Sequence, residues 1–165
     1  MWISFNQLPD TARVWVYQSA RPLTDAEVAT IETDLPPAVD GWAAHGTPLL
    51  GSAQLLNNRF LIVAVDEGHH LPSGCSIDSS VRWVREIGQT LNTDFFDRSP
   101  AYVTADGSIE TVALPQIKAA VAEGRLAPDT TVFNNLVATK AELLSNWQIK
   151  AADSWLKRYF KNVAA

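Results

Sequence analysis

The six residues Phe60–Val65, in "NRFLIVAVDE", contain no polar side chain. A short run of this kind reads as a strand covered on both faces and lying in the middle of a sheet. Left at an edge, such a strand would template aggregation. The preceding "LLGSAQLL" supplies an extended partner, and Asn57-Asn58 between the two runs tolerate the left-handed backbone of a tight turn. Together they predict an antiparallel hairpin over 49–65, with the second strand central and the first less buried.

The other elements follow from local signals. "RVWVYQ", Arg13–Gln18, is β-branched and aromatic and reads as a strand. Thr24 with Glu27 forms a capping box opening a helix over about 25–35, with Val28, Ile31 and Leu35 on one face and Pro36-Pro37 ending it. A second amphipathic helix is predicted over about 77–91, with Val81, Val84, Ile87 and either Gly88 or Leu91 toward the core. Asp106-Gly107 in "AYVTADGSIETVAL" marks another hairpin, about 101–113. Leu114-Pro115 opens a short helix that stops near Gly124. "TTVFNNLVAT" reads as extended, with a turn at Asn134-Asn135 as the alternative, and Thr139 with Glu142 caps a further helix. The stretch "AADSWLKRYFKN" is expected to be a short helix with Trp155 and Tyr159 on one side. Hairpins and helices without regular βαβ alternation predict an α+β fold, mainly antiparallel, and 165 residues suit one compact domain over 1–165. No internal repeat or low-complexity segment is present.

Composition narrows the function classes. A formal charge of -5, with no basic run to reverse it locally, argues against a nucleic-acid partner held by a basic surface. The single cysteine cannot form an intramolecular disulfide, so a reducing, cytoplasmic setting is expected. "MWISFNQLPD" lacks the pattern of a signal peptide, and no run approaches the roughly 18 apolar residues of a membrane span. No cofactor motif occurs, so none is expected.

The chemistry-bearing residues cluster around "SGCSIDSS", Ser73 to Ser80. Cys75 falls at the start of the second helix, where unpaired amides and the positive end of the helix dipole stabilise a thiolate or an anion. Gly74 permits close approach, while Ser73, Ser76 and Asp78 suit either anion binding or plain helix capping. Cys75 as a small buried apolar side chain is the competing reading. Upstream, "VDEGHHLP" ends a strand with Asp66, Glu67, His69 and His70, a position where loops carry ligands and catalysis as well as simply meeting water. His45 or His70 as base, with Asp66 or Glu67 as orienting acid, would complete a cysteine-based site. His45 as a polar loop residue beside Trp42 is the alternative. His69, His70, Cys75 and a nearby acid have suitable atoms for zinc but none of the usual ligand spacings, so no metal is assigned. Arg98 in "DFFDRS" either pairs with Asp97 or receives an anion. Most of the six tryptophans are expected in the core, although some are candidates for lining a pocket.

Taken together, "YQSARPLTDAEV", "WAAHGTPLLGS", "NRFLIVAVDE", "SGCSIDSSVRWVRE", "DFFDR", "VFNNLVATKAELLSNW" and "DSWLKRYF" resemble a family of small bacterial proteins found mainly in Bacteroidetes and relatives. Its members carry no assigned function and are often labelled ABC transporter ATPase. No G-x-x-x-x-G-K-[ST] phosphate loop occurs here, so that label does not transfer. The resemblance implies that His45-Gly46, Asp66-Glu67, Gly74 through Asp78, and Arg98 match the family pattern. Leu156 follows the final tryptophan where a histidine is expected in relatives, which removes a catalytic role at that position.

Two functional classes remain. The first is a binding or interaction module that holds a small anionic ligand or a protein at the helix start, through Ser73, Gly74, Ser76, Asp78 and Arg98. The second is a Cys75-dependent enzyme of thiol or acyl-transfer type, with a histidine base and first-turn amides as the oxyanion site. A lone cysteine at a helix start is weak support for catalysis, and the first class is preferred. In either case Cys75 is expected to line a concave surface near Asp66 or Glu67.

Overall fold

The computed structural model describes residues 1–161. In chain order it contains β1 (Arg13–Gln18), α1 (Asp25–Asp40), β2 (Ala43–Ala44), β3 (Thr47–Pro48), β4 (Gly51–Leu56), β5 (Phe60–Val65) and α2 (Gly74–Leu91). Then follow β6 (Ala101–Val103), β7 (Ile109–Thr111), α3 (Ile117–Ala122), β8 (Thr131–Phe133), α4 (Lys140–Asn146) and β9 (Gln148–Lys150). The architecture is α+β with antiparallel sheets. Contacts group into two compact units, Met1–Asp97 with Leu136–Leu144, and Arg98–Asn135 with the residues from Ser145 on.

In the first unit the sheet order is β1-β5-β4, so the apolar run of β5 is central, as its composition predicts. Val63 pairs with Trp15 on one side and Ala53 on the other. All six residues of β5 are fully buried, whereas β4 keeps partly exposed positions. Leu61, Val63 and Val65 face a core shared with Ile31, Leu35 and Val39 of α1, Val84 of α2, Trp42 and Phe95. The alternate residues Phe60, Ile62 and Ala64 point to the opposite face and are equally inaccessible.

The hairpin turn is bonded to its surroundings rather than left free. Asn57 and Asn58 both take positive φ, 55° and 53°. The Asn58 amide donates to the Leu23 carbonyl and to Asp25, and the Leu23 N–H donates back to the Asn58 carbonyl. Beside it the buried Arg59 donates to the carbonyls of Ser19 and Ala20, at 3.0 Å each. Burial pulls the Arg59 pKa below its usual value, against the opposing influence of Asp97.

Helix α1 opens with the expected reciprocal capping box between Thr24 and Glu27, but it does not stop at the prolines. It continues to Asp40 with Pro36 and Pro37 inside. Two prolines forgo the bonds to the carbonyls of Glu32 and Thr33, and both of those residues are exposed, so water can take the place of the lost donors. Leu35 and Val39, both buried, hold the last turn against the core.

Helix α2 begins at Gly74, three residues before the predicted Ile77, because Ser73 caps it. Its buried row is Ser76, Ser80, Val84 and Gly88, at i, i+4 spacing. Of the residues expected to face the core, Gly88 is buried in place of its alternative Leu91, Val81 is partly buried, and Ile87 and Leu91 are partly buried but pack against the core. Small side chains let the helix lie close to its neighbours, most tightly at Gly88, where a Cβ would stand 2.7 Å from the Thr93 carbonyl oxygen. Residues 136–144 return to the first unit at β1: Val14 N–H donates to the Ala138 carbonyl and Lys140 N–H to the Ala12 carbonyl. The buried Lys140 ammonium donates to the carbonyls of Asn6 and Leu8 and stands over the Phe5 ring.

The second unit has the sheet order β7-β6-β8-β9, with β9 not anticipated from the sequence. The Asp106-Gly107 turn forms as expected, with Gly107 at φ 87°. Hydroxyls of Thr104 and Ser108 and the Ser108 N–H all donate to Asp106, holding its carboxyl down to about 2. The turn falls at Asn135-Leu136, one residue later than Asn134-Asn135, and Thr139 caps α4 through Glu142. The C-terminal stretch is 3-10 rather than α-helical, over Ala151–Asp153 and Trp155–Phe160, while Asn162 lies outside the described residues.

Arg59→Leu should lower stability by about 3 kcal/mol in urea unfolding, since two carbonyls lose their donors in a buried setting. A loss under about 0.5 kcal/mol, the range of ordinary surface changes, would show that the guanidinium is not needed there. A pH series tests the cap of α1. Arg21 forks onto Glu27 and the Thr24 N–H donates to it, holding the Glu27 carboxyl down to about 2 from an ordinary 4.5. A depressed carboxylate stabilises the fold above its unfolded pKa and loses that contribution as pH falls toward its folded one. The stability gap between the native chain and Glu27→Gln should therefore be constant near neutrality and close between about pH 4.5 and 2. A gap that stays constant through that window would remove Glu27 from the cap.

Candidate functional site

The start of α2 is built by two serines and a tryptophan. The Ser76 N–H donates to Ser73 Oγ at 3.1 Å, and the Ser73 N–H donates to Ser76 Oγ at 2.7 Å. Ser76 Oγ in turn donates to the Ser73 carbonyl. This is a capping box with serine in the place usually held by glutamate or glutamine. The hydroxyls expected to contact an anion are thus each engaged with the other residue's backbone. Trp42 Nε1 donates to the Ser76 carbonyl at 2.7 Å within the core, fixing the height of this first turn. The Trp42 ring meets Trp15 and Trp83 edge-on, at 6.3 Å and 5.0 Å between centroids. Gly51 makes room for it, since a Cβ there would lie 3.2 Å from the indole.

Cys75 is exposed, which excludes its reading as a buried apolar side chain. Gly74 does not have a restricted backbone, and a Cβ added to it would meet nothing within 4 Å, so neither strain nor crowding explains the glycine. Asp78 is exposed one turn further on. His45 occupies the turn between β2 and β3 with Gly46, at φ 51° and 78°, and is exposed. Asp66 organises its own loop: its carboxylate accepts from the Gly68 N–H, and its carbonyl accepts from the N–H groups of His69 and His70. Glu67 pairs with Arg13 at 3.9 Å on the surface. Arg98 opens the second unit and is exposed. Among the described residues no hydrogen bond or ion pair joins the Cys75 thiol to a histidine or carboxylate, and no three His, Cys, Asp or Glu residues form a metal-ligand group.

A concave feature of this unit with an apolar floor lies further along α2. Between α1 and α2 is a cleft of about 200 Å³ lined by Thr30, Ile31, Asp34 and Ala38 on one side and Trp83, Glu86, Ile87, Thr90 and Leu91 on the other. Cys75 does not line it. The buried row of α2 carries small residues, so Trp83, Ile87 and Leu91 lean sideways toward α1 without closing the gap. The Thr30 and Thr90 hydroxyls donate to their own helix backbones, at the carbonyls of Ala26 and Glu86. The side chains of Asp34 and Glu86, both exposed, face solvent on opposite helices with no hydrogen bond or ion pair to another described residue. Neither arginine of α2 lines the cleft, and Arg85 stands over the Phe96 ring instead.

Cys75 and Glu86 are eleven positions apart, about three turns and roughly 16 Å along the helix, so they fall on one stripe. The cleft is not legible from spacing that places Ile87, with either Gly88 or Leu91, in the core. The remaining signal was the acidic, base-free composition of α1, which carries Asp25, Glu27, Glu32, Asp34 and Asp40. Among the described residues no helix is long and apolar enough to cross a membrane. Comparison of the chain with protein-family models, with curated proteins and with solved structures returns no match.

Trp42→Phe keeps a ring but loses the donor to Ser76, whose carbonyl retains its helical bond, and should cost about 0.5–1.5 kcal/mol for the lost hydrogen bond. Amide exchange at Ile77, whose N–H bonds the Ser73 carbonyl, should accelerate more than exchange in the last turn of α2. Uniform exchange changes along the helix would show that Trp42 does not set the first turn.

Proposed function

We propose that this chain is an interaction module that recognises a protein partner along the solvent-facing stripe of α2, from the Cys75 turn to the α1–α2 cleft. The observation that carries this reading is the cleft itself: an apolar floor of Ile31, Ala38, Trp83, Ile87 and Leu91 between two unpaired carboxylates. At about 200 Å³ it is smaller than the roughly 300–1,000 Å³ usual for small-molecule pockets. It suits one or two side chains of a partner, in the manner of a helix or segment laid into a groove. Asp34 and Glu86 select a partner with lysine or arginine flanking its apolar anchor, and they disfavour an acidic one. The exposed thiol three turns away supplies a reporter position on the same stripe and needs no base for that role.

The test uses two synthetic 14-residue helical peptides sharing leucines at i, i+3, i+4 and i+7, one with lysines and one with glutamates at the flanking positions. Binding is read from an environment-sensitive dye on Cys75 and from backbone amide shifts. The lysine peptide should bind and shift the amides of Asp34, Ile87 and Thr90. Asp34→Lys with Glu86→Lys should weaken it by about tenfold or more, as expected for loss of complementary charge. Equal affinity for the two peptides, or a double variant that binds the lysine peptide unchanged, would remove the cleft from recognition.

A further inference from the structure

The second unit carries a cleft of different chemistry. It has a volume of about 580 Å³ and is lined by Pro128, Ala152, Ser154, Trp155, Lys157, Arg158, Phe160 and Lys161. Among the described residues three cations and no carboxylate face it, in a chain whose net charge is -5. The cause of this concentration is the helix type. Residues Trp155–Phe160 form a 3-10 helix, with Lys161 as its C-cap. Three residues per turn place side chains at i and i+3 in register. Trp155, Arg158 and Lys161 therefore form one row and Lys157 and Phe160 the next, while the third row, Leu156 and Tyr159, packs on the core of this unit together with Phe160. An α-helix would have rotated these rows apart.

The row is also pre-ordered. The Arg158 guanidinium stands over the Trp155 ring at 5.9 Å and over the Tyr159 ring at 5.0 Å, and it donates to the Tyr159 hydroxyl. Trp155 and Tyr159 meet edge-on at 6.4 Å. Trp155 nevertheless keeps 44% of its surface exposed, which is unusual for so large an apolar side chain. Ser154 is already used as a cap, donating to the Ala151 carbonyl and accepting from the Leu156 N–H, so the polar recognition falls to the three cations.

We propose that this cleft binds a small aromatic phosphate, a planar ring that stacks against Trp155 with its phosphate among Lys157, Arg158 and Lys161. The volume falls in the range of small-molecule sites, and an exposed indole beside paired cations is the chemistry that holds a ring and an anion together. This site is separate from the α1–α2 cleft in its residues, its charge and its ligand, and it stands or falls independently of that reading.

The probes are adenosine monophosphate, adenosine and inorganic phosphate, titrated calorimetrically into the full chain at low salt. Adenosine monophosphate should bind at least about tenfold more tightly than either fragment. Trp155→Ala should weaken it about tenfold, within the range of base-on-aromatic stacking, and abolish the advantage over phosphate. Arg158→Gln with Lys161→Gln should abolish the advantage over adenosine. Because the substituted side chains are exposed, an unchanged circular dichroism spectrum and melting point should accompany the losses; the single Lys157→Gln variant provides a second reading if the double variant melts early. The proposal is overturned by absence of adenosine monophosphate binding at millimolar concentration, by affinity no better than that of phosphate, or by Trp155→Ala and Lys157→Gln variants that bind normally. Tighter binding of a single-stranded dodecanucleotide, with the steep salt dependence of many phosphate contacts, would overturn it in favour of a nucleic-acid strand.

Discussion

A strand with no accessible residue makes demands in every direction. β5 needs a partner on each edge for its backbone and an apolar layer against each face for its side chains. β1 and β4 meet the first demand, and α1, α2 and Trp42 cover the side formed by Leu61, Val63 and Val65. The rest of the first unit is arranged around these needs. The turn that brings β5 back against β4 is bonded to the start of α1 through Asn58, and Arg59 satisfies two carbonyls of the chain leaving β1. One turn therefore sets the strand register and the entry of the helix that covers it.

The same cover explains the cleft. A helix packing through Ser76, Ser80, Val84 and Gly88 comes close to its support, and close approach at Gly88 leaves no room for a Cβ. The larger apolar residues are then displaced to the side of the helix, where Trp83, Ile87 and Leu91 face α1. α1 meets them with Ile31 and Ala38 but turns Asp34 outward. An apolar floor with a charged rim results from ordinary packing needs, and its position could not be read from hydrophobic spacing that treated Val81, Val84, Ile87 and either Gly88 or Leu91 as core.

Around Cys75 the sequence was informative about place and uninformative about company. Ser73 and Ser76 do cap the helix, and Cys75 does stand within its first turn. The neighbouring groups have local engagements: Asp66 ties its own loop, Glu67 pairs with Arg13, and His45 sits in a hairpin turn. Adjacency along a loop places residues within reach, but Asp66 is spent on its own loop backbone and Glu67 on Arg13. The 3-10 rows at the C-terminal end were also out of view, since Trp155 and Tyr159 at i and i+4 suggested an α-helix and concealed the alignment of Trp155 with Arg158 and Lys161.

What the amino-acid order determined by itself was local or binary in character. An uninterrupted apolar run had to be buried. Asn57-Asn58 and Asp106-Gly107 had to be turns, and Thr24 with Glu27 had to open a helix, because each depends on a few adjacent torsions and hydrogen bonds. Only the tertiary structure decided that α1 would run through two prolines, that Cys75 would face solvent and that an unfilled apolar gap would lie between α1 and α2. These outcomes rest on contacts between residues distant in the chain, such as Trp42 with Ser76 and Ile31 with Val84 in one core, where packing and burial outweigh the modest preferences of any single residue.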